Sequence, residues 1–208
     1  MDDIEQRTDE WRNLRLGRFT GSRFAGVLAK SKRDGKPLKA RDDLIWTIAT
    51  ERIQGYQEQG TSSYSLQWGI DNEAFAREAY ELKTGFFVDE IAFIQHKELD
   101  YAGVSPDGII GSDGGLEIKC PKSPQIHLQS FLYGVPEEYV PQLQGFLWVT
   151  GRKWIDFVSY DPNTKDALKL LIIRVYRDEE FINNLEAEIK HAEIEVQDLV
   201  SRIIKKAA

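Results

Sequence analysis

Apolar residues recur at helical spacing in six segments of the chain. Intervals of three or four residues predict helices over residues 20–29, 40–54, 66–84, 124–133, 137–150 and 179–206. Gly55 and Gly85 directly follow two of these segments, and glycine commonly ends a helix. The apolar face expected for the third helix comprises Leu66, Ile70, Ala74, Tyr80 and Leu82.

The last predicted helix carries the longest apolar stripe. Its members are spaced by fours and threes: Phe181, Leu185, Ile189, Ala192, Val196, Leu199 and Ile203. We expect this stripe to pack in the core, and a subunit contact or a docking surface for a partner are the alternatives.

Shorter segments with apolar or alternating residues predict strands. They cover residues 86–95, 101–105, 107–111, 115–120, 154–160 and 168–176. Helices, then a group of strands, then alternating helices and strands indicate an α/β fold.

The chain shows no repeat and no linker long enough to separate two domains, so residues 1–208 are expected to form one domain. Its parts would be a basic N-terminal helical region (1–85), a β core (86–176) and a C-terminal helix (178–206). The polar N-terminus, the lack of a long apolar run and the single cysteine, Cys120, predict a cytoplasmic protein without a membrane segment.

Charge is distributed unevenly along the chain. Residues 12–41 hold ten basic residues and one acidic residue, a net charge of +9, and the total of −7 leaves −16 for the remainder. A basic segment in an otherwise acidic chain is expected where a polyanion binds. For residues 30–41, a solvated loop is the alternative.

Three charged residues converge on a predicted hairpin. Asp107 opens one strand, the Gly-rich residues 111–115 form the turn, and Glu117 and Lys119 follow on the next strand. Because side chains alternate along a strand, Glu117 and Lys119 share a face while Ile118 points into the core. Antiparallel pairing would bring Asp107 close to both.

Two carboxylates and an ammonium suit phosphodiester hydrolysis with magnesium. Mg²⁺ prefers oxygen ligands, lowers the pKa of bound water and stabilises charge on phosphoryl oxygens. Lys119 could orient the attacking water or stabilise the transition state. The pattern also occurs by chance, and a surface hairpin with an ion pair is the alternative. The hairpin is nevertheless apolar, and buried charges are costly without a bound ion.

The hairpin belongs to an ordered series of five motifs. They are Trp11-x-x-Leu14-Arg15-Leu16-Gly17 with Thr20-x-Ser22; Trp68-Gly69 with Glu73; Ser105-Pro106-Asp107-Gly108; Leu116-Glu117-Ile118-Lys119-Cys120-Pro121; and Tyr139-x-x-Gln142-x-Gln144 with Trp148-Val149-Thr150. Over roughly residues 6–162 the series resembles the lambda exonuclease (YqaJ-type viral recombinase, alkaline exonuclease) family of PD-(D/E)xK nucleases. Gly21, the 30–39 loop and the helix after residue 178 depart from this resemblance or lie outside it.

The resemblance implies a PD-(D/E)xK restriction-endonuclease-like fold, with a central mixed β-sheet flanked by helices, and a role for each motif residue. Asp107, Glu117 and the Ile118 backbone carbonyl would bind magnesium, and Glu73 would join them directly or through water. Two Mg²⁺ ions bridged by Asp107 are expected, with Mn²⁺ as a substitute. Lys119 would act on the nucleophilic water. The implied pocket for a DNA 5′-phosphate consists of Arg15, Ser22, Ser105, Gln142 and Tyr139.

The implied activity is processive 5′→3′ digestion of linear double-stranded DNA by a ring-shaped homotrimer. The 3′ overhang would serve phage-type recombination with a single-strand annealing protein in the bacterial host cytoplasm. An endonuclease of restriction or repair type, with the same metal centre, is one alternative. An inactive DNA-binding protein is another, which the intact Asp107, Glu117 and Lys119 disfavour.

Overall fold

The computed structural model describes residues 4–31, 33–58 and 63–207, so Lys32 of the basic segment lies outside the described residues. The described α-helices are α1 (Asp9–Arg15), α2 (Phe24–Val27), α3 (Lys39–Gln54), α4 (Tyr64–Thr84), α5 (Pro124–Tyr133), α6 (Val140–Thr150) and α7 (Glu179–Ala207). The strands are β1 (Phe19–Thr20), β2 (Ile94–Gln95), β3 (Ala102–Val104), β4 (Gly108–Ile110), β5 (Gly114–Lys119), β6 (Trp154–Tyr160) and β7 (Leu170–Tyr176).

Capping residues set the ends of the longer helices. At the start of α4, Ser63 Oγ accepts the backbone N–H of Leu66 at 3.1 Å. Helices α3 and α4 end at Gly55 and Gly85, whose φ angles of 77° and 72° are left-handed. Glycine adopts this conformation without a steric penalty, and both predicted helix ends are confirmed.

Two segments differ from their predicted conformation. Residues 20–29 form a 3₁₀ turn and the short α2 instead of one helix, because β1 is held extended against β3. Residues 86–95 form a strand only at β2. The N–H of Val88 donates to the Glu81 carboxylate at 2.8 Å and keeps this part of the chain beside the end of α4.

The strands form two mixed sheets. The four-stranded sheet has the order β4-β5-β6-β7, with β5 and β6 parallel and the outer pairs antiparallel. The three-stranded sheet has the order β1-β3-β2, in which β1 runs parallel to β3. Helix α4 packs on the four-stranded sheet, and α6 contacts strands of both sheets. This arrangement confirms the predicted mixed α/β class.

Helix α4 faces the sheet with a different side from the one predicted. Its buried residues lie four apart: Asn72, Ala76 and Tyr80. The Tyr80 hydroxyl donates to Asp156 Oδ2 of β6 at 2.7 Å, which fixes the orientation of the helix. Leu66 and Leu82, expected in the core, are 56% and 81% exposed. The prediction is confirmed for Tyr80 and was wrong for Leu66 and Leu82, because apolar residues lie on several sides of this helix.

Helix α7 packs in the larger core against α2, α3 and α6. Its buried apolar residues are Ile182, Leu185, Ile189, Ala192 and Val196, which confirms core packing for the central part of the predicted stripe. None of the described helices combines the length and the apolarity needed to cross a bilayer.

Candidate active site

The β4–β5 hairpin brings Asp107 against the residues of β5. Asp107 directly precedes β4, and the pairing of Gly108 with Leu116 places Asp107 across from Glu117. Asp107 Oδ2 accepts the backbone N–H of Ile118 at 2.6 Å. The hairpin geometry predicted from the sequence is therefore present, with Glu117 buried and Asp107 half-buried at the cavity.

Lys119 and Gln142 both bind the Glu117 carboxylate. Lys119 Nζ donates to Glu117 Oε1 at 2.6 Å, and Gln142 Nε2 donates to the same oxygen at 2.5 Å. Lys119 Nζ also donates to Gln142 Oε1 at 3.3 Å and lies 5.0 Å from the centre of the Tyr139 ring. Residues from β5 and α6 thus form one hydrogen-bonded group, and Tyr139 of the turn before α6 lies beside it.

The positive charge of Lys119 does not offset all the negative charge of the nearby carboxylates. Burial, and then the negative charges of Glu117 and Glu73, hold the pKa of Asp107 well above its ordinary value. Burial alone would lower the pKa of Lys119, but attraction by Glu117 and Asp107 outweighs burial and raises it. Lys119 is therefore a permanent cation at neutral pH, and a further cation beside Asp107 would relieve the remaining repulsion.

The residues present fit a magnesium ion held mainly by solvent. Among residues 4–31, 33–58 and 63–207, no three His, Cys, Asp or Glu side chains are grouped closely enough to hold a metal by themselves. Asp107 and Glu117 supply two carboxylates, and Mg²⁺ commonly binds one or two carboxylates and keeps several waters. Glu73 instead forms ion pairs with Arg7 at 2.5 Å and with Arg77 at 3.3 Å.

Arg15 is surrounded by hydroxyl groups. Its guanidinium donates to Ser105 Oγ at 3.1 Å, to Ser22 Oγ at 3.1 Å and to Thr20 Oγ1 at 3.2 Å. It also stacks on the ring of Trp11 at 4.5 Å, and the Trp11 indole N–H donates to Ser105 Oγ at 2.9 Å. The structure thus brings Arg15, Ser22 and Ser105 together, as expected.

The Arg15 guanidinium is a half-buried cation without an acidic partner among the described residues. Within the described part of the chain it forms hydrogen bonds to hydroxyl groups and no ion pair. Burial, and then repulsion by Arg23, lowers the pKa of Arg15 from 12.5 to about 10, so it stays charged at neutral pH. A half-buried charge of this kind is costly unless an anion binds to it.

One cavity of about 180 Å³ joins the two groups of residues. It is lined by Gln6, Trp11, Arg15, Gly21, Ser22, Val104, Ser105, Pro106, Asp107, Glu117, Lys119, Gln142 and Phe146. Glu73 and Tyr139 do not line it, although Tyr139 stacks on Phe157 behind Lys119. A larger surface cavity of about 580 Å³, beside α1, contains none of the predicted site residues.

Two residues of this region had not been assigned a role. Thr20 appeared in a motif without one, and the structure shows it binding Arg15. Gln6 lines the cavity and donates to the backbone oxygens of Pro106 at 2.8 Å and Ile91 at 3.2 Å. A lone glutamine ahead of the first helix carries no pattern from which this position could be predicted.

Comparison with known proteins agrees with this geometry. The family model for the YqaJ-like viral recombinase domain matches residues 10–153, more than half of the chain. The chain belongs to this family. None of the curated proteins matches the sequence.

Solved structures extend the similarity of this YqaJ-like protein to nearly its whole length. The alkaline exonuclease LHK-Exo from Laribacter hongkongensis is 34% identical, with 96% of this chain and 98% of that chain covered and a TM-score of 0.88. LHK-Exo in complex with dAMP gives a TM-score of 0.89 at the same identity and coverage. A phage-related exonuclease from Haemophilus somnus, 16% identical, shares the fold with a TM-score of 0.66 over 89% of this chain and 96% of that chain. The predicted family, fold class and exonuclease type of enzyme are confirmed.

Proposed function

We propose that the protein is a magnesium-dependent 5′→3′ exonuclease that degrades one strand of linear double-stranded DNA from a 5′-phosphate end. The observation that carries this proposal is the single cavity lined by Arg15 and by Asp107, Glu117 and Lys119. An anion bound at Arg15 would lie in the same cavity as the hydrolytic group, and binding the strand end would select the bond that is cut.

Each residue has a definite task in this proposal. Asp107, Glu117 and the Ile118 carbonyl would hold Mg²⁺, with Glu73 acting directly or through water. When bound, the metal supplies a water of lowered pKa and positive charge for the phosphate, and a second ion or Mn²⁺ would serve the same chemistry. Lys119, held by Glu117 and Gln142, would orient the attacking water and stabilise the developing charge.

The terminal phosphate would bind in the hydroxyl-lined pocket. Arg15 offers a planar fork of donors, and Ser22 and Ser105 already contact that fork. Gln142 bonds Glu117 and Lys119 and lines the same cavity, so it would connect the phosphate pocket to the cleavage centre. Tyr139, whose ring centre lies 5.0 Å from Lys119 Nζ, would complete the pocket for the 5′-phosphate.

The biological setting follows from the family. A viral recombinase would use the 3′ single-stranded overhang for annealing, together with a single-strand annealing protein in the cytoplasm of a bacterial host. The dAMP complex of LHK-Exo supports a DNA substrate for this chain. We further propose that the chain forms one exonuclease domain and assembles as a homotrimeric ring around DNA.

The decisive experiment compares linear and covalently closed duplex DNA in Mg²⁺. On linear DNA, strands with 5′-phosphate ends should be digested and single-stranded DNA should remain, while closed circles survive, because cleavage begins at the Arg15 pocket. Asp107→Asn provides the inactive control. Cleavage of closed circles would identify the alternative, an endonuclease with the same metal centre.

A further inference from the structure

Arg7 has an unusual backbone conformation beside the active site. Its φ angle of 73° is left-handed, and no other non-glycine residue in the described part of the chain has a positive φ. Side chains with a Cβ rarely adopt this conformation, and such outliers concentrate at functional sites. The neighbouring residues hold it in place: Gln6 bonds two backbone oxygens of residues 91 and 106, and Thr8 caps α1.

The Arg7 side chain contacts the carboxylate of Glu73, which the proposed function places beside Asp107 and Glu117. Arg7 Nη2 donates to Glu73 Oε2 at 2.5 Å, and the Glu73 side chain is only 17% exposed. Arg77 contacts the other oxygen of Glu73 at 3.3 Å, but Arg77 also pairs with Glu90. Glu73 therefore lies between two guanidinium groups, of which Arg7 makes the shorter contact.

Glu73 acts electrostatically on the centre of the site. Burial is the main cause of the raised pKa of Asp107 and of Cys120, and the negative charge of Glu73 adds to both. A cation bonded to Glu73 opposes this negative charge. Under the proposed function, in which Glu73 acts directly or through water, this cation also occupies an oxygen that the divalent ion or its bound water would use.

We propose that Arg7 is a positioning residue that holds Glu73 and competes with the divalent ion for its carboxylate. Arg7 thereby raises the concentration of divalent ion that the centre requires. The inference rests on the proposed function, since it assumes that Asp107 and Glu117 bind a metal. It concerns Arg7 because Arg7 makes a shorter contact with Glu73 than Arg77 does, and because Lys119 bonds Glu117.

The test is Mn²⁺ binding to the full-length, metal-free protein without DNA, measured by isothermal titration calorimetry. Arg7→Gly should bind Mn²⁺ about tenfold more tightly than the wild type, the size expected for removing a nearby positive charge. Glycine suits the left-handed backbone, so the variant should fold, and thermal unfolding would verify this. Arg7→Lys should remain close to the wild type.

Two controls separate a local effect from a general change of charge. Arg12→Ala removes one positive charge from α1, where Arg12 pairs with Asp9, and should leave the Mn²⁺ affinity unchanged. In a Glu73→Gln background, Arg7→Gly should have no further effect. An unchanged or weaker affinity in Arg7→Gly, or an equal gain in the Glu73→Gln background, would overturn the role of Arg7.

The same titrations distinguish failure of this inference from failure of the proposed function. If the wild type binds no Mn²⁺, or if Asp107→Asn binds it equally well, the metal centre itself is wrong and the role of Arg7 falls with it. If binding depends on Asp107 but does not respond to Arg7→Gly, the centre stands and only the role of Arg7 is refuted.

Discussion

At the scale of single residues, the protein places charges where its own fold does not neutralise them. Arg15 is half-buried among hydroxyl groups, and Asp107 is half-buried beside other carboxylates. Such placements reduce stability, because a buried charge needs a partner of opposite sign. A substrate phosphate and a metal ion would supply these partners. The residues that reduce stability are therefore also residues of the candidate active site.

The first prediction concerns Arg15. Arg15→Ala should reduce the preference for 5′-phosphorylated over 5′-hydroxyl ends by about tenfold to a hundredfold, the value of a hydrogen-bonded charge. Initial rates on the two substrates measure this preference. Arg12→Ala, an exposed change on the same helix, should leave it intact. An undiminished preference in Arg15→Ala would remove Arg15 from the pocket.

The second prediction concerns Lys119. Lys119→Ala should slow hydrolysis by at least about a hundredfold, because the water and the developing charge lose their cation. Affinity for linear duplex DNA, measured by fluorescence anisotropy, should change little. A fully active Lys119→Ala enzyme would contradict the assigned role.

At the scale of elements, α3 supports the chain segment that carries the proposed phosphate pocket. Glu51 of α3 accepts the Gly17 N–H at 2.9 Å and bonds Arg23. Arg52 donates to the Gly17 carbonyl at 2.8 Å and pairs with Glu193 of α7 at 2.6 Å. A Cβ at Gly17, whose φ is +64°, would lie 2.7 Å from the Arg52 side chain. Two adjacent residues of α3 thus hold the turn between α1 and β1.

The third prediction follows from this support. Glu51→Ala should lower the free energy of unfolding by about 3–5 kcal/mol, because Arg23 and the Gly17 N–H lose a buried partner. Urea denaturation measures the change. Glu10→Ala, an exposed acidic residue of α1, should alter stability by less than about 0.5 kcal/mol. Equal effects of the two substitutions would show that α3 does not support the pocket.

At the scale of the whole molecule, the basic segment is partly neutralised by the acidic part of the same chain. Lys30 pairs with Glu188 at 2.5 Å, Arg41 with Glu195 at 2.8 Å, and Arg23 with Glu51. The net charge of +9 over residues 12–41 therefore does not describe a wholly free positive surface. These three pairs hold the N-terminal region, α3 and α7 together, and Arg15 is the cation of this segment that lines the cavity.

The fourth prediction concerns assembly. A ring that encircles DNA would keep the enzyme on its substrate without requiring tight binding by any one subunit. Light scattering should therefore give a mass of about 72 kDa, three times the 23.9 kDa of the chain. A mass of one chain at working concentration would contradict the ring, and processivity would then need another explanation.

The sequence by itself determined the features that depend on local spacing. The stripe of α7, the ends of α3 and α4 and the hairpin that joins Asp107 to Glu117 follow from periodicity, glycine positions and strand alternation. These signals succeed because each depends on residues only a few positions apart.

Only the tertiary structure decided which distant residues meet. Arg7 reaches Glu73, Arg15 reaches Ser105, and Gln142 reaches Glu117 across 25 to 90 positions of the chain. Packing of whole elements sets these contacts, so no local pattern encodes them. For the same reason the sequence could not show that α4 exposes Leu66 and Leu82 while it buries Tyr80 as predicted, since the sheet selects the face that packs against it.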